Sequence, residues 1–163
     1  MSTAGSDSPL SPGAQRVQDE IVKRGFPHRV FELGVPVRTA ADAAQALGCE
    51  VGQIAKSIVF RTRFGRAVLV IASGANRVNE DRIEALLGEG IEKADPDFVR
   101  EMTGFAIGGI PPLGHTNKLT TYIDRDLLRF EVIWAAAGHP NALFELVPDE
   151  LVNLTGGIVA ELT

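Results

Sequence analysis

Two short stretches of this sequence combine residue types that could do chemistry. Lys56 stands where the polar segment Gln53-Ile-Ala runs into the β-branched and aromatic stretch Ser57-Ile-Val-Phe-Arg-Thr-Arg63. With Ile58 and Phe60 pointing inward from a strand, the amine enters near the core. There an ammonium can hold a phosphate or polarise an oxygen more strongly than in open water. The spacing equally suits a lysine whose stem lies along apolar surface with its head in solvent. The second stretch is Gly108-Gly109-Ile110-Pro111-Pro112-Leu113-Gly114. Adjacent glycines let the backbone approach a ligand and aim N–H groups at one oxygen, and the prolines stiffen the exit. A purely structural turn would use the same residues. The segment lacks the Gly-Lys-Ser/Thr ending of a phosphate-binding P-loop and the spacing of a dinucleotide fingerprint.

Other reactive side chains form no cluster. His28, His115 and His139 are scattered, and the chain has one cysteine, Cys49, so neither a zinc site nor a disulfide framework is indicated. His139 lies in Ala137-Gly138-His139-Pro140-Asn141, a small-residue turn between two strands from which a side chain can reach a cleft or open solvent. Cys49 reads as a half-buried apolar residue. There is no Gly-x-Ser-x-Gly, and Asp81, Glu84 and Glu89 read as a solvated helix face.

The elements that must position these residues follow from periodicity and capping signals. Helices are predicted from Pro12 to Arg24, from Thr39 to Gly48 with Asp42 completing a capping box, and from Asn79 to Gly88. Two more run from Asp95-Pro96 to about Met102 and from Pro148 to Gly156. Strands are predicted over Arg29–Leu33, Ser57–Arg63, Ala67–Ala72, Leu119–Ile123, Phe130–Ala135, Ala142–Val147 and Ile158–Leu162. The second and third make a hairpin through Phe64-Gly65-Arg66, and Asp124-Arg-Asp126 is read as a tight connection between two late strands. The span Gly104–Gly114, with four glycines and two prolines, fits no regular element. Hairpins among alternating helices and strands argue against a doubly wound parallel sheet. The expectation is a single α+β domain, a mixed, mainly antiparallel and barrel-like sheet with short helices around it.

Bulk properties bound the function. At 163 residues, 45% hydrophobic and 23% charged, the chain fits one globular domain over residues 11–163, with residues 1–10 a disordered lead-in. No apolar run approaches the roughly 20 residues that span a bilayer, and the N-terminus has no signal-peptide pattern, so the cytoplasm is the expected address and no membrane partner is expected. A formal net charge of −5 argues against wrapping DNA or a long phosphate backbone, though not against touching the tip of a nucleic acid. Arg61, Arg63 and Arg66 suit either such a contact or the solvated face of a hairpin.

Taken together, Gln53-Ile-Ala-Lys56-Ser-Ile-Val-Phe60, Gly108-Gly-Ile-Pro111 and Ala137-Gly-His139 resemble the YbaK/ProX family of aminoacyl-tRNA editing domains, which also supplies the editing insertion of bacterial prolyl-tRNA synthetases. The resemblance runs from about Gly25 to the C-terminus. It implies a trans-acting deacylase that hydrolyses the ester of a mischarged small amino acid on tRNA, related to proofreading of tRNA(Pro), without metal or other cofactor. The partners implied are the aminoacyl-tRNA acceptor end and a synthetase. On this resemblance Lys56 holds the tRNA 3′ end, Gly108 and Gly109 position the aminoacyl carbonyl and a water, and His139 matches a histidine present in several branches. Ile58, Phe60, Phe105 and Ile107, with Pro111, are expected to form a small apolar substrate pocket. One departure stands out: the cysteinyl-specific branch carries Ser and Asp where this chain has Ala136 and Leu143.

Two other readings stay open on sequence grounds. The same pocket could serve a non-catalytic module that binds a tRNA end or a nucleotide beside a synthetase. A dinucleotide-dependent enzyme built on Ser73-Gly74-Ala75 lacks the fingerprint glycines.

Overall fold

The structure is a computed structural model that describes residues 9–163, so most of the expected lead-in lies outside the described residues. Helix α1 (Pro12–Lys23) turns its apolar stripe of Ala14, Val17 and Ile21 into the core and has Pro12 at its first position. After the two-residue strand β1 (Phe31–Glu32), helix α2 (Ala40–Leu47) is capped by Thr39, whose hydroxyl accepts the Asp42 N–H, and ends at left-handed Gly48. A 3-10 turn at Val51–Gln53 feeds the long strand β2 (Ile54–Thr62), which pairs along its length with β3 (Ala67–Ser73). Then come α3 (Glu80–Leu87), a short β4 (Ile91–Lys93), α4 (Pro96–Thr103) and β5 (Thr120–Asp124). The chain closes with β6 (Ile133–Ala136), β7 (Ala142–Leu146), α5 (Pro148–Thr155) and β8 (Ile158–Ala160).

All eight strands belong to one sheet of order β1-β7-β6-β2-β3-β5-β8, with β4 added to the far end of β2. Four pairings are antiparallel (β1/β7, β2/β3, β2/β4, β6/β7) and three are parallel (β2/β6, β3/β5, β5/β8). The domain is therefore α+β with a mixed sheet, as expected, but the sheet stays open. The terminal strands β1 and β8 are only two and three residues long and do not pair with each other, so no barrel closes. The late strands also depart from expectation. β5 and β6 are not a hairpin: a 3-10 helix at Arg125–Arg129 carries the chain across, placing β5 beside β3 and β6 beside β2.

The β-strand period of two divides β2 and β3 between two faces. Val59, Leu69 and Ile71 enter the main core under α1, α4 and α5, while Phe60, Val68 and Val70 pack with Ile83 of α3 on the opposite face. On that second face a smaller cluster joins Ile54 and Leu143 to Ala43 and Ala44 of α2. Lys56, sharing the face of Ile54, Ile58 and Phe60, falls between these two clusters.

Candidate active site

The gap between those clusters is a cavity of about 250 Å³. Its floor is sheet: Ile54 and Ala55 of β2, Ala136 of β6 and Leu143 of β7. Val37, Ala40 and Ala43, around the start of α2, form one wall, and Gly108, Ile110 and Pro140 form the other. Lys56, Ser57, Arg38 and Thr39 bring the polar groups. The lining is thus mostly apolar, with two cationic side chains at its margin. Such a place fits a small apolar group attached to an anionic body.

The wall containing Val37 is tied to the β6–β7 turn. The Asn141 side-chain oxygen accepts the Val37 N–H (3.0 Å), and its main-chain oxygen accepts the Leu33 N–H (2.8 Å). Asp42 accepts the Arg38 N–H at 3.0 Å, leaving the exposed guanidinium of Arg38 with no ion-pair partner among the described residues. Lys56 Nζ donates to the main-chain oxygen of Asn76 at 2.8 Å, which holds the amine at the sheet end of the cavity.

The glycine pair is packed from behind. Gly109 accepts the Gly138 N–H (2.8 Å), and a Cβ at Gly109 would come within 2.8 Å of the His139 backbone. Gly108 has φ +98°, a conformation that favours glycine. The Gly108 and Ile110 N–H groups have no acceptor among the described residues, whereas Gly109 N–H is used locally on Ala106. Gly108 and Ile110 both line the cavity, and main-chain N–H groups are the kind of donor that can stabilise developing negative charge on a carbonyl oxygen. Beyond the prolines, His115 Nε2 donates to the Pro111 carbonyl (2.7 Å), and burial pushes that imidazole below its ordinary pKa, keeping it neutral.

The expected site residues divide into three groups. Lys56 and Gly108 line the cavity together, with Gly109 directly behind. His139 lies on the adjoining turn with a side chain 42% exposed, and does not itself line the cavity. Asn141 N–H donates to its Nδ1 (3.1 Å), which places the proton of a neutral ring on Nε2, and Glu32 approaches Nδ1 at 3.8 Å. The expected apolar pocket residues are elsewhere. Ile58 and Phe60 share the face of Lys56 but pack with the α3 cluster; Phe105 is buried under the Arg16 guanidinium; Ile107 is exposed; Pro111 is buried beside the core. Beside Gly108 and Ile110, the lining comes from residues 37–43, Pro140 and Leu143, segments far apart in sequence whose meeting no local pattern announces.

Three other sequence features have defined places. Arg61 stacks on Phe98 (4.9 Å) and Arg66 pairs with Glu89, both at the end of β2 remote from Lys56, and Arg61, Arg63 and Arg66 all stay exposed. Glu89 consequently leaves the solvated helix face assigned to it. Cys49 packs in the α2 cluster, where burial raises its thiol pKa.

The pattern of the aminoacyl-tRNA editing domain matches residues 35–154, which contain every wall of this cavity. The chain belongs to the aminoacyl-tRNA editing domain family. A solved structure described as "Crystal structure of a putative trans-editing enzyme for prolyl tRNA synthetase" superposes with a TM-score of 0.91 at 50% identity, covering 95% of this chain and 99% of that one. The "Uncharacterized protein YwhH" of Bacillus subtilis is 32% identical over 122 residues, 75% of this chain and 78% of its own. "Putative Cys-tRNA(Pro)/Cys-tRNA(Cys) deacylase EbsC" of Enterococcus faecalis is 26% identical over 77% of both chains. A proline–tRNA ligase of Thermosipho melanesiensis is 37% identical over 82 residues, half of this chain but 14% of the ligase. The family domain is thus found both as a separate chain and as a part of a larger synthetase. Among the described residues no helix is long and apolar enough to cross a membrane.

Proposed function

We propose that this editing domain is a trans-acting aminoacyl-tRNA deacylase that hydrolyses the ester of a small, misattached amino acid, with tRNA(Pro) as the acceptor. The observation that carries this reading is the cavity itself: a small, mostly apolar chamber whose lining includes Lys56, Arg38, Gly108 and Ile110. The misacylated side chain occupies the chamber, and Lys56 and Arg38 hold the phosphate and ribose of the terminal adenosine at the margin.

Hydrolysis there asks little of the protein as a nucleophile. An aminoacyl ester is already activated, and the neighbouring ribose hydroxyl can assist a water that attacks the carbonyl carbon. The amides receive the oxyanion, the C–O bond to the ribose breaks, and the ribose oxygen takes a proton as it leaves. The reading therefore needs neither a protein acyl intermediate nor a metal. The acceptor end is the macromolecular partner, a synthetase supplies the remaining affinity, and the cytoplasm is the place of action. The test is incubation of the purified chain with misacylated tRNAs beside Lys56→Ala: deacylation that the substitution lowers about 100-fold supports the enzyme, and binding without deacylation supports a sensor module instead.

A further inference from the structure

Lys56 does not reach its place by strand geometry alone. Its partner across the hairpin is Ala72, and Ile71, one residue earlier, pairs with Ile123 of β5. Lys56, Ala72 and Asp124 therefore lie in one row on one face, the outer two about 10 Å apart at two strand spacings. The small Ala72 leaves the row open between them, and Asn76 fills that span. Its main-chain oxygen takes Lys56 Nζ at 2.8 Å. Its side-chain nitrogen donates to Asp124 (2.9 Å) and to Asp126 (2.7 Å). Asp124 is 1% exposed and also accepts the Ser73 and Asp126 N–H groups, so it is a fixed anchor.

We propose that Asn76 is a positioning residue for Lys56: clamped by Asp124 and Asp126, it presents the carbonyl that aims the ammonium at the cavity. This rests on the reading of the cavity as an editing site. Without the amide, two carboxylates lose their shared donor, the 74–77 loop loses its tie to β5, and the lysine loses a fixed acceptor. The local neighbours support the arrangement. Gly74 is pressed against the Val51 carbonyl, where a Cβ would stand at 2.4 Å, so the loop begins from a defined point.

A double-substitution cycle tests the proposal, read by single-turnover deacylation with enzyme in excess. Asn76→Ala is expected to lower the rate about 10- to 100-fold in the wild-type chain, because a displaced contact group costs rate on that order. In the Lys56→Ala background it should change the rate by less than about twofold, since nothing is left to position. Losses that multiply in the double variant, or full activity in Asn76→Ala, would overturn it. Amine labelling followed by peptide mass analysis reads the same contact without activity. Lys56 should label several-fold faster in Asn76→Ala while Lys23, Lys93 and Lys118 stay constant; an unchanged Lys56 rate overturns the proposal. A wild-type chain that hydrolyses no misacylated tRNA would count against the proposed function alone, and the labelling would still decide this one. If Asn76→Ala does not fold, Asn76→Ser carries both measurements.

Discussion

Ala136 and Leu143 are register partners across β6 and β7, and both face the cavity. On the family resemblance read from the sequence, they are the two positions at which the cysteinyl-specific branch carries Ser and Asp. A matched pair of polar residues in that row would put a hydroxyl and a carboxylate on the floor. This chain instead has a methyl and an isobutyl group there, so neither side chain offers a hydrogen bond to a substrate thiol or amine. Under the proposed function, these two positions select by shape.

Selection by shape makes a specific expectation for Ala136→Leu. The added bulk narrows the chamber and should slow hydrolysis, most for the larger aminoacyl groups, with little effect on the fold because Ala136 is only half-buried. Conversely, Leu143→Ala should admit larger side chains. Each methylene of discrimination is worth about 1–3 kcal/mol, so the preference for Ala-tRNA over bulkier esters should fall by at least tenfold. The price is stability: Leu143 is 3% exposed, and truncation should cost about 2–5 kcal/mol in urea unfolding. Equal rates for Ala-, Ser-, Cys- and Pro-tRNA in the unmodified chain would rule out size selection.

Gly109→Ala and Gly108→Ala should fail for different reasons. At Gly109 the new Cβ meets the His139 backbone at 2.8 Å, so the loop or the turn must move; at Gly108 the nearest atom is an ordinary 3.7 Å away, and the strain lies in φ +98°. Both should lose about 1–3 kcal/mol of stability. Deacylation should suffer more at Gly109, because its displacement carries the free amides of Gly108 and Ile110 with it. Paired unfolding and rate measurements separate the two effects.

The elements were readable where their signals are local, and less so where partners are remote. The Thr39, Asn79 and Asp95 caps each accept a nearby N–H and were legible as capping residues. Lys56 was legible as a residue near the start of a strand, although β2 begins earlier than expected, two residues before it at Ile54. Alternation also misled: it places Ile58 and Phe60 on the face of Lys56, but says nothing of where along the strand α3 begins to cover it. The β3/β5 and β2/β6 parallel pairs join residues about fifty and eighty positions apart, and no turn signal marks such a pairing. The cavity walls from residues 37–43 and Pro140 were hidden for the same reason.

His115 makes the loop sensitive to acid. Its pKa is lowered first by burial, with the Pro111 carbonyl contact opposing the shift, so the folded state favours the neutral ring. The unfolded chain then takes up a proton before the folded one does. Its contribution to stability is complete above the ordinary histidine value of about 6.5 and is lost as the pH falls from there toward the lower folded value. Melting temperatures recorded from neutral to mildly acidic pH should fall more steeply for the wild-type chain than for His115→Gln, and parallel curves would refute this.

Asn141 should behave as the latch of the Val37 wall. Replacing it by Ala removes the side-chain acceptor at 3.0 Å while leaving the main-chain bond to Leu33. Amide exchange over residues 33–38 should accelerate, with less change in β2 and β3, and the KM for misacylated tRNA should rise more than kcat falls. Uniform exchange across the sheet would show a global rather than local role.

The most direct measurement is hydrolysis of Ala-tRNA(Pro) by the purified chain, with chelator present, beside Lys56→Ala and a no-enzyme control. Alanine should be released well above the spontaneous rate and regardless of the chelator, with a fall of about 100-fold or more in the Lys56→Ala variant. Hydrolysis no faster than the control, or full activity without the Lys56 amine, would contradict the deacylase reading.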